Sequence, residues 1–299
     1  PFTYNLPITK SEATERKPVA ELQPTNPKNQ PKLFIPPSTT HKMTIRFGPA
    51  GLGPIKTAVQ TLEKYHQLGF KACEISFTHG PYIKKEEDMK LIKETAEKLN
   101  ISLSIHAQYW INLNSKEPEK VEASKKRILN CCEIGEKLGA KRVVFHPGYY
   151  SDMTPEEAYK NISKSVKDLQ QSIKKENWKI KISAETMGKV NVFGSIDQIS
   201  NLVNETGCDF CIDFAHILAR DKSVDYDKVK QLFPQSTWHV HFSGIVYGEK
   251  GEKHHKTTLK EEWKTLLANL PKDKEITIIN ESPTMIDDTI EGLELSKKL

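Results

Sequence analysis

Eight times between Met43 and Leu299 a short β-branched run is followed by a helical pattern, and few folds satisfy such a sequence. TIRFGP precedes PIKTAVQTLEKYHQLG, ACEISF precedes KKEEDMKLIKETAEKLN, and SLSIHA leads to KVEASKKRILNCCEIGEKLG. RVVFHPG leads to PEEAYKNISKSVKDLQQSIKK, KISAET to SIDQISNLVNET, and FCIDFAH to DYDKVKQLF. WHVHFS and ITIINES, before LKEEWKTLLANL and DDTIEGLELSKKL, complete the set. Alternation of this kind builds a parallel sheet. Eight units in 257 residues, close to the ~250 of a closed barrel, favour an α/β fold made of a single (β/α)8 TIM barrel over an open doubly wound sheet. The glycine-rich GPAGLGP after the first strand carries two prolines and no GxGxxG, which argues against a dinucleotide fold.

Residues 1–42 differ, holding eight of the 17 prolines without strand or helix periodicity. They read as a disordered or extended N-terminal arm, with Met43 a candidate natural start and residues 43–299 the barrel domain. The arm carries six Lys or Arg against three Glu, so the barrel retains +2 of the net +5. That balance gives weak support for a nucleic-acid partner, although local basic patches remain compatible with it. Five cysteines, no signal peptide and no long apolar run suit reduced, buried thiols in a cytosolic protein. The lone CxxC of Cys208 and Cys211 lacks the second pair a zinc ribbon needs.

Six consecutive strands end in a metal-type ligand. His106 ends the third and His146 the fourth, and Glu185 ends the fifth. Asp213 and His216 close the sixth, His241 the seventh and Glu281 the eighth, with His255 in the loop after His241. A barrel gathers its working groups at this C-terminal face. Singly, each has a bland reading as a hydrogen-bonded histidine or a solvated carboxylate. Together, buried carboxylates converging in one mouth would repel unless cations lie between them. Imidazole with carboxylate and no thiolate suits Zn²⁺, Mn²⁺ or Fe²⁺, and this many ligands exceeds one tetrahedral site, implying two or three ions.

The strings SIHAQYWINL, VVFHPG, SAET, CIDFAH, HVHFSG and NESP resemble the endonuclease IV family of apurinic/apyrimidinic endonucleases, zinc-dependent repair enzymes on the xylose-isomerase-like barrel. The resemblance spans essentially Met43 to Leu299. It implies that Glu185 bridges two ions, with His106 and His146 on the first and Asp213, His241 and Glu281 on the second. His216 and a histidine after the seventh strand would hold the third. It implies double-stranded DNA with abasic sites as partner and incision 5′ to the lesion, leaving a 3′-hydroxyl and a 5′-deoxyribose phosphate. Glu185 and Glu281 would be catalytic, with Tyr109 and Asn112 near the DNA, in a cytoplasmic monomer with access to nucleoid or nuclear DNA. The chain departs from the family after the seventh strand. His241-Phe242-Ser243-Gly244 replaces His-Leu-Asn-Asp, and Lys253-His254-His255 replaces Asp-Arg-His, as in a divergent branch. His255 is the preferred third-site ligand; choosing His254 instead puts Glu252 in the aspartate position. Lys189, Lys250, Lys253, Lys256, His79 and Tyr82 are further groove-facing candidates. Single-metal sugar isomerases and epimerases share the quartet Glu185, Asp213, His241 and Glu281, and they are the alternative reading. His106 and His146 argue against it.

Overall fold

A computed structural model describes residues 43–298; the Pro-rich arm assigned to residues 1–42 lies outside the described residues. The eight expected strands form one all-parallel sheet. They are β1 (Thr44–Pro49), β2 (Ala72–Ser76), β3 (Ser102–His106), β4 (Arg142–Phe145), β5 (Lys181–Glu185), β6 (Asp209–Asp213), β7 (Thr237–Phe242) and β10 (Glu275–Asn280). The order around the sheet is β1-β10-β7-β6-β5-β4-β3-β2. The ends of this series meet where Lys71 N donates to Phe47 O at 2.9 Å. Gly48 makes the approach possible, since a Cβ there would sit 1.9 Å from Ala72 O.

Helices α1 (Ala58–Gln67), α2 (Glu86–Lys98), α3 (Pro118–Leu138), α4 (Pro155–Lys175) and α5 (Ile196–Thr206) cover the barrel in turn. They are followed by α6 (Phe214–Asp221), α7 (Tyr226–Leu232), α8 (Lys260–Asn269) and α9 (Met285–Ser296). Local chemistry sets their ends. Thr154 with Glu157 and Ser195 with Gln198 form reciprocal capping boxes at α4 and α5. Gly139 and Gly207 close α3 and α5 in the left-handed conformation at φ 70° and 72°. The helices bury one stripe each against the apolar outward positions of the strands, such as Leu103, Ile105, Ile182, Trp238 and Val240, while the alternate positions bring Glu74, Ser104, Ser183 and His239 into the barrel interior. Trp263 of α8, fully buried, packs between Phe47 and Phe242 with ring centroids 5.9 and 4.9 Å away.

The sixth and seventh units differ from expectation. FCIDFAH is not one strand: β6 ends at Asp213, whose carboxylate accepts from His216 N at 2.8 Å and caps α6. His216 therefore stands in a first helical turn, and the capping bond outweighs the β-propensity of the run. The segment after β7 is not an open loop but an antiparallel hairpin, β8 (Gly244–Gly248) with β9 (Gly251–Lys256). All five cysteines are free and buried, as expected. Among the described residues no helix is long and apolar enough to cross a membrane.

Candidate metal centre

Strand register, the first turn of α6 and the β8–β9 hairpin bring the predicted ligands to one place. His106, Glu185 and Asp213 are the last residues of their strands, His146 and Glu281 follow β4 and β10 directly, and His241 is the penultimate residue of β7. Glu185 is the hub. Its Oε2 lies 3.2 Å from His106 Nε2 and 3.1 Å from His146 Nε2, while its Oε1 lies 2.9 Å from His241 Nδ1. The two oxygens thus face two different sets of partners. Ligand atoms of His106, His146 and Glu185 fall within 4.8 Å of one another, as do those of Glu185, Asp213, His241 and Glu281, and those of Asp213, His216 and His255.

Most of these imidazoles have one nitrogen occupied by the protein, leaving the other for the centre. His106 Nδ1–H donates to Ala107 O at 2.8 Å and His216 Nδ1–H to Thr186 O at 2.9 Å. Ser243 Oγ donates to Gly244 O at 3.0 Å and accepts from His255 Nδ1–H at 2.6 Å. Each arrangement fixes a tautomer and turns Nε2 inward, the usual design around a ligating histidine.

Electrostatics follow from burial and crowding. Burial pushes the Glu185 carboxyl up, but the His241 charge and hydrogen bonds from His106, His146 and His241 outweigh it and hold the group well below the usual range. Burial lowers His106, yet bonding to Glu185 lifts it to about 9; His216 reaches about 9 against the same penalty through Asp213 and Glu185. Asp213 is raised by burial, and its Oδ2 is a buried oxygen without a hydrogen-bond partner. An orphaned carboxylate oxygen aimed among imidazoles and two other carboxylates is what a divalent cation would satisfy. The donor set of nitrogen and carboxylate oxygen fits Zn²⁺, Mn²⁺ or Fe²⁺.

The hairpin resolves where the residues after β7 go. His254 is exposed and stands outside the clusters, whereas His255 joins Asp213 and His216. Glu252 also comes in, its Oε2 3.5 Å from His216 Nε2. Residues three apart on a regular strand face opposite sides. Here Val246 pairs with His254 and Tyr247 with Glu252, so Lys253 is an extra residue, and this β-bulge turns Glu252 and His255 to the same site.

Tyr109, 52% exposed, roofs the centre with its ring centroid 5.7 Å from both His106 and His146. Asn112 is turned into the protein: its Oδ1 accepts from Asn114 N and Tyr149 N, each at 3.1 Å, bracing the loop after β3 on that after β4. His79 stands edge-on to Tyr109 and to exposed Trp110, while Tyr82 packs edge-on against Phe77. Lys189 lines the cavity of about 260 Å³ over the ligands. A larger cavity of about 970 Å³ at the opposite strand ends contains none of these ligands. The sequence reading missed Glu74, fully buried in the middle of β2; a lone charge inside the run ACEIS was the available signal.

Known proteins share the fold that carries these residues. An uncharacterized protein of Methanocaldococcus jannaschii is 37% identical over 226 residues, covering 70% of this chain and 80% of its own. A probable endonuclease 4 of Acholeplasma laidlawii is 28% identical over 251 residues, covering 73% and 83%. Among solved structures, SacUVDE superposes with a TM-score of 0.67 at 17% identity and endonuclease IV from Thermus thermophilus with 0.62 at 19%, each covering 86% of this chain and 98% of its own. D-psicose 3-epimerase from Clostridium cellulolyticum superposes with a TM-score of 0.61 at 13% identity over the same shares. The fold is common to nucleases and epimerases alike. Residues 62–299 match the family described as xylose isomerase-like TIM barrel, and with the barrel and its ligand-bearing strand ends in view, the chain belongs to that family.

Proposed function

We propose that this protein is a metal-dependent apurinic/apyrimidinic endonuclease, hydrolysing the phosphodiester 5′ to an abasic site to leave a 3′-hydroxyl and a 5′-deoxyribose phosphate. The observation that carries the reading is the two-sided use of Glu185, with His106 and His146 on one oxygen and His241 on the other. A carboxylate with separate partner sets on its two oxygens suits a bridge between two ions. An enzyme holding one ion has no need of His106 and His146. Relatives named probable endonuclease 4 support the same reading.

The residues present would divide as follows: His106, His146 and Glu185 for one ion, Glu185, Asp213, His241 and Glu281 for a second, and Asp213, His216, His255 and Glu252 around a third. Bound ions of this kind polarise phosphoryl oxygens and bring the pKa of water near ~7. Glu185 and Glu281 would orient an attacking water through their negative charge, and both are kept ionised by His241 against the effect of burial. Tyr109 supplies a flat face above the histidines against which a strand lacking one base can stack. Lys189 lines the same cavity, where its charge would attract a phosphate oxygen.

The test is incision of a duplex carrying one abasic analogue beside an undamaged duplex, with Zn²⁺ or Mn²⁺ supplied. Nicking confined to the lesion, with a 3′-hydroxyl end and steep loss of binding with salt, is expected. The quartet Glu185, Asp213, His241 and Glu281 also suits a one-metal sugar epimerase. No nicking, one ion per chain and turnover of ketoses would replace the nuclease by that reading.

A further inference from the structure

Beneath the metal centre, inside the barrel, lies a buried polar group that the proposed reaction does not use. Glu74, in the middle of β2, is fully buried, and its only route to satisfaction is through neighbouring strands. Ser104, its register partner on β3, donates Oγ–H to Glu74 Oε2 at 2.8 Å. His239 Nε2 contacts the same oxygen at 2.9 Å, and His241 Nε2 contacts Oε1 at 2.9 Å. His239 and His241 are two residues apart on β7, so both point inward, one layer above the other. The His241–Glu74 approach is off the axis of an aligned hydrogen bond, and at 2.9 Å between buried groups it acts as an electrostatic contact. His241 is thus held between carboxylates on both edges of its ring, with Nδ1 2.9 Å from Glu185 and 3.4 Å from Glu281 on the upper side.

We infer that Glu74 is a positioning residue that keeps the ring proton of His241 on Nε2 and so reserves Nδ1 as a ligand for a divalent cation. The Nδ1–H of His241 donates to Glu185 Oε1 at 2.9 Å; a cation that takes Nδ1 displaces that proton, and the neutral imidazole is left with one N–H and acidic oxygens on both edges. On Nδ1 the proton would bond Glu185 and remove the lone pair that a cation needs. A buried carboxylate below, itself fixed by Ser104 and His239, draws that proton downward. His106, His216 and His255 achieve the same end with Ala107 O, Thr186 O and Ser243 Oγ. His241 has a carboxylate instead, which also raises the basicity of the ligating nitrogen. The inference rests on the metal-centre reading given above, and not on which substrate the centre serves.

Cys211 supplies the rival arrangement, because its thiol lies within 4.8 Å of ligand atoms of His239 and His241. A cation held by those three would occupy His241 Nε2 and leave Glu74 nothing to position.

The test uses the full chain labelled with ¹⁵N-histidine and loaded with Zn²⁺. Long-range proton–nitrogen spectra, with His241→Asn for assignment, should show His241 protonated at Nε2 and coordinated through Nδ1; a proton on Nδ1, or on neither nitrogen, overturns the inference. Calorimetric titration of metal-stripped E74Q should then show one ion bound about 10- to 100-fold more weakly with the others unchanged, and E74D should recover part of the loss. Unchanged affinities in E74Q overturn it equally. Co²⁺ in place of Zn²⁺ should give no thiolate charge-transfer band, and a band lost in C211S would establish the rival site. If E74Q does not fold, the wild-type tautomer decides alone. Wild-type protein that takes up no divalent ion would remove the metal-centre reading itself; a full metal complement with the wrong tautomer removes only the role of Glu74.

Discussion

Gly188→Ala gives a sharp test of how the third cluster is assembled. Gly188 follows β5 and accepts from Glu252 N at 3.0 Å, which docks the β8–β9 hairpin over the ligands. A Cβ at this position would lie 2.8 Å from Glu252 Cβ and 3.0 Å from His216 Cδ2. Carbon pairs are comfortable at about 3.5–4.0 Å, so the hairpin or the imidazole must move by about 1 Å. Bonds from nitrogen or oxygen to zinc are only ~2.0–2.2 Å long, and a displacement of that size dismantles the site. Overpacking of this kind costs about 1–3 kcal/mol. If all of it falls on the third ion, its affinity drops by about 5- to 150-fold. We predict that calorimetric titration of the metal-stripped variant shows the two ions around Glu185 at wild-type affinity and the third weakened by this amount. Wild-type binding of every ion in G188A would mean that Glu252 and His216 do not share a cation with His255, and the hairpin's role in the centre would have to be abandoned.

Glu185→Gln should lower incision at abasic sites by at least about 1,000-fold while duplex binding persists, since the lost charge acts on the reacting centre rather than on the groove; cleavage within tenfold of wild type would sink the bridging role. Gly48→Ala should cost about 3 kcal/mol or more in urea unfolding, because its Cβ would press on the Ala72 carbonyl where β1 meets β2, and a loss below 1 kcal/mol would contradict that closure. Glu205 accepts from Lys167, Tyr159 and Ser163, and these bonds hold its carboxyl at about 2. A depressed folded-state value gives stability that is complete above about 4.5 and is lost as the pH falls towards about 2. The side chain is 42% exposed, so solvent screening limits the gain to about 0.5 kcal/mol; Glu205→Gln should be less stable by this amount at pH 7 and equal to wild type near pH 2 in chemical denaturation, and a gap that persists at pH 2 would exclude the carboxylate as its source.

Much of the centre is legible along the chain because a barrel converts strand order into position. His106, His146, Glu185 and Glu281 lie at ends of apolar runs, and the rule that parallel strands deliver their C-terminal residues to one face needs no further information. Asp213 was found for the same reason, but its second job, capping α6, was not, since a strand end and a helix cap look alike until the next turn is built. Tyr109 over the histidines follows from its short distance beyond His106. Asn112, at a similar distance, turns the other way and braces its own loop, because its amide finds three partners within the protein.

The sequence by itself determined the eight-unit barrel, the burial of the cysteines and nearly every residue of the strand-end cluster, because hydrophobic period and strand order are local properties summed along the chain. Tertiary structure alone decided which oxygen of Glu185 meets which histidine, that Lys253 bulges to bring Glu252 beside His255, and that Glu74 stands under His241. Those facts depend on distances between strands far apart in sequence and on the angle at which a bulge turns a strand. Residue spacing carries neither quantity; closure of the barrel sets both.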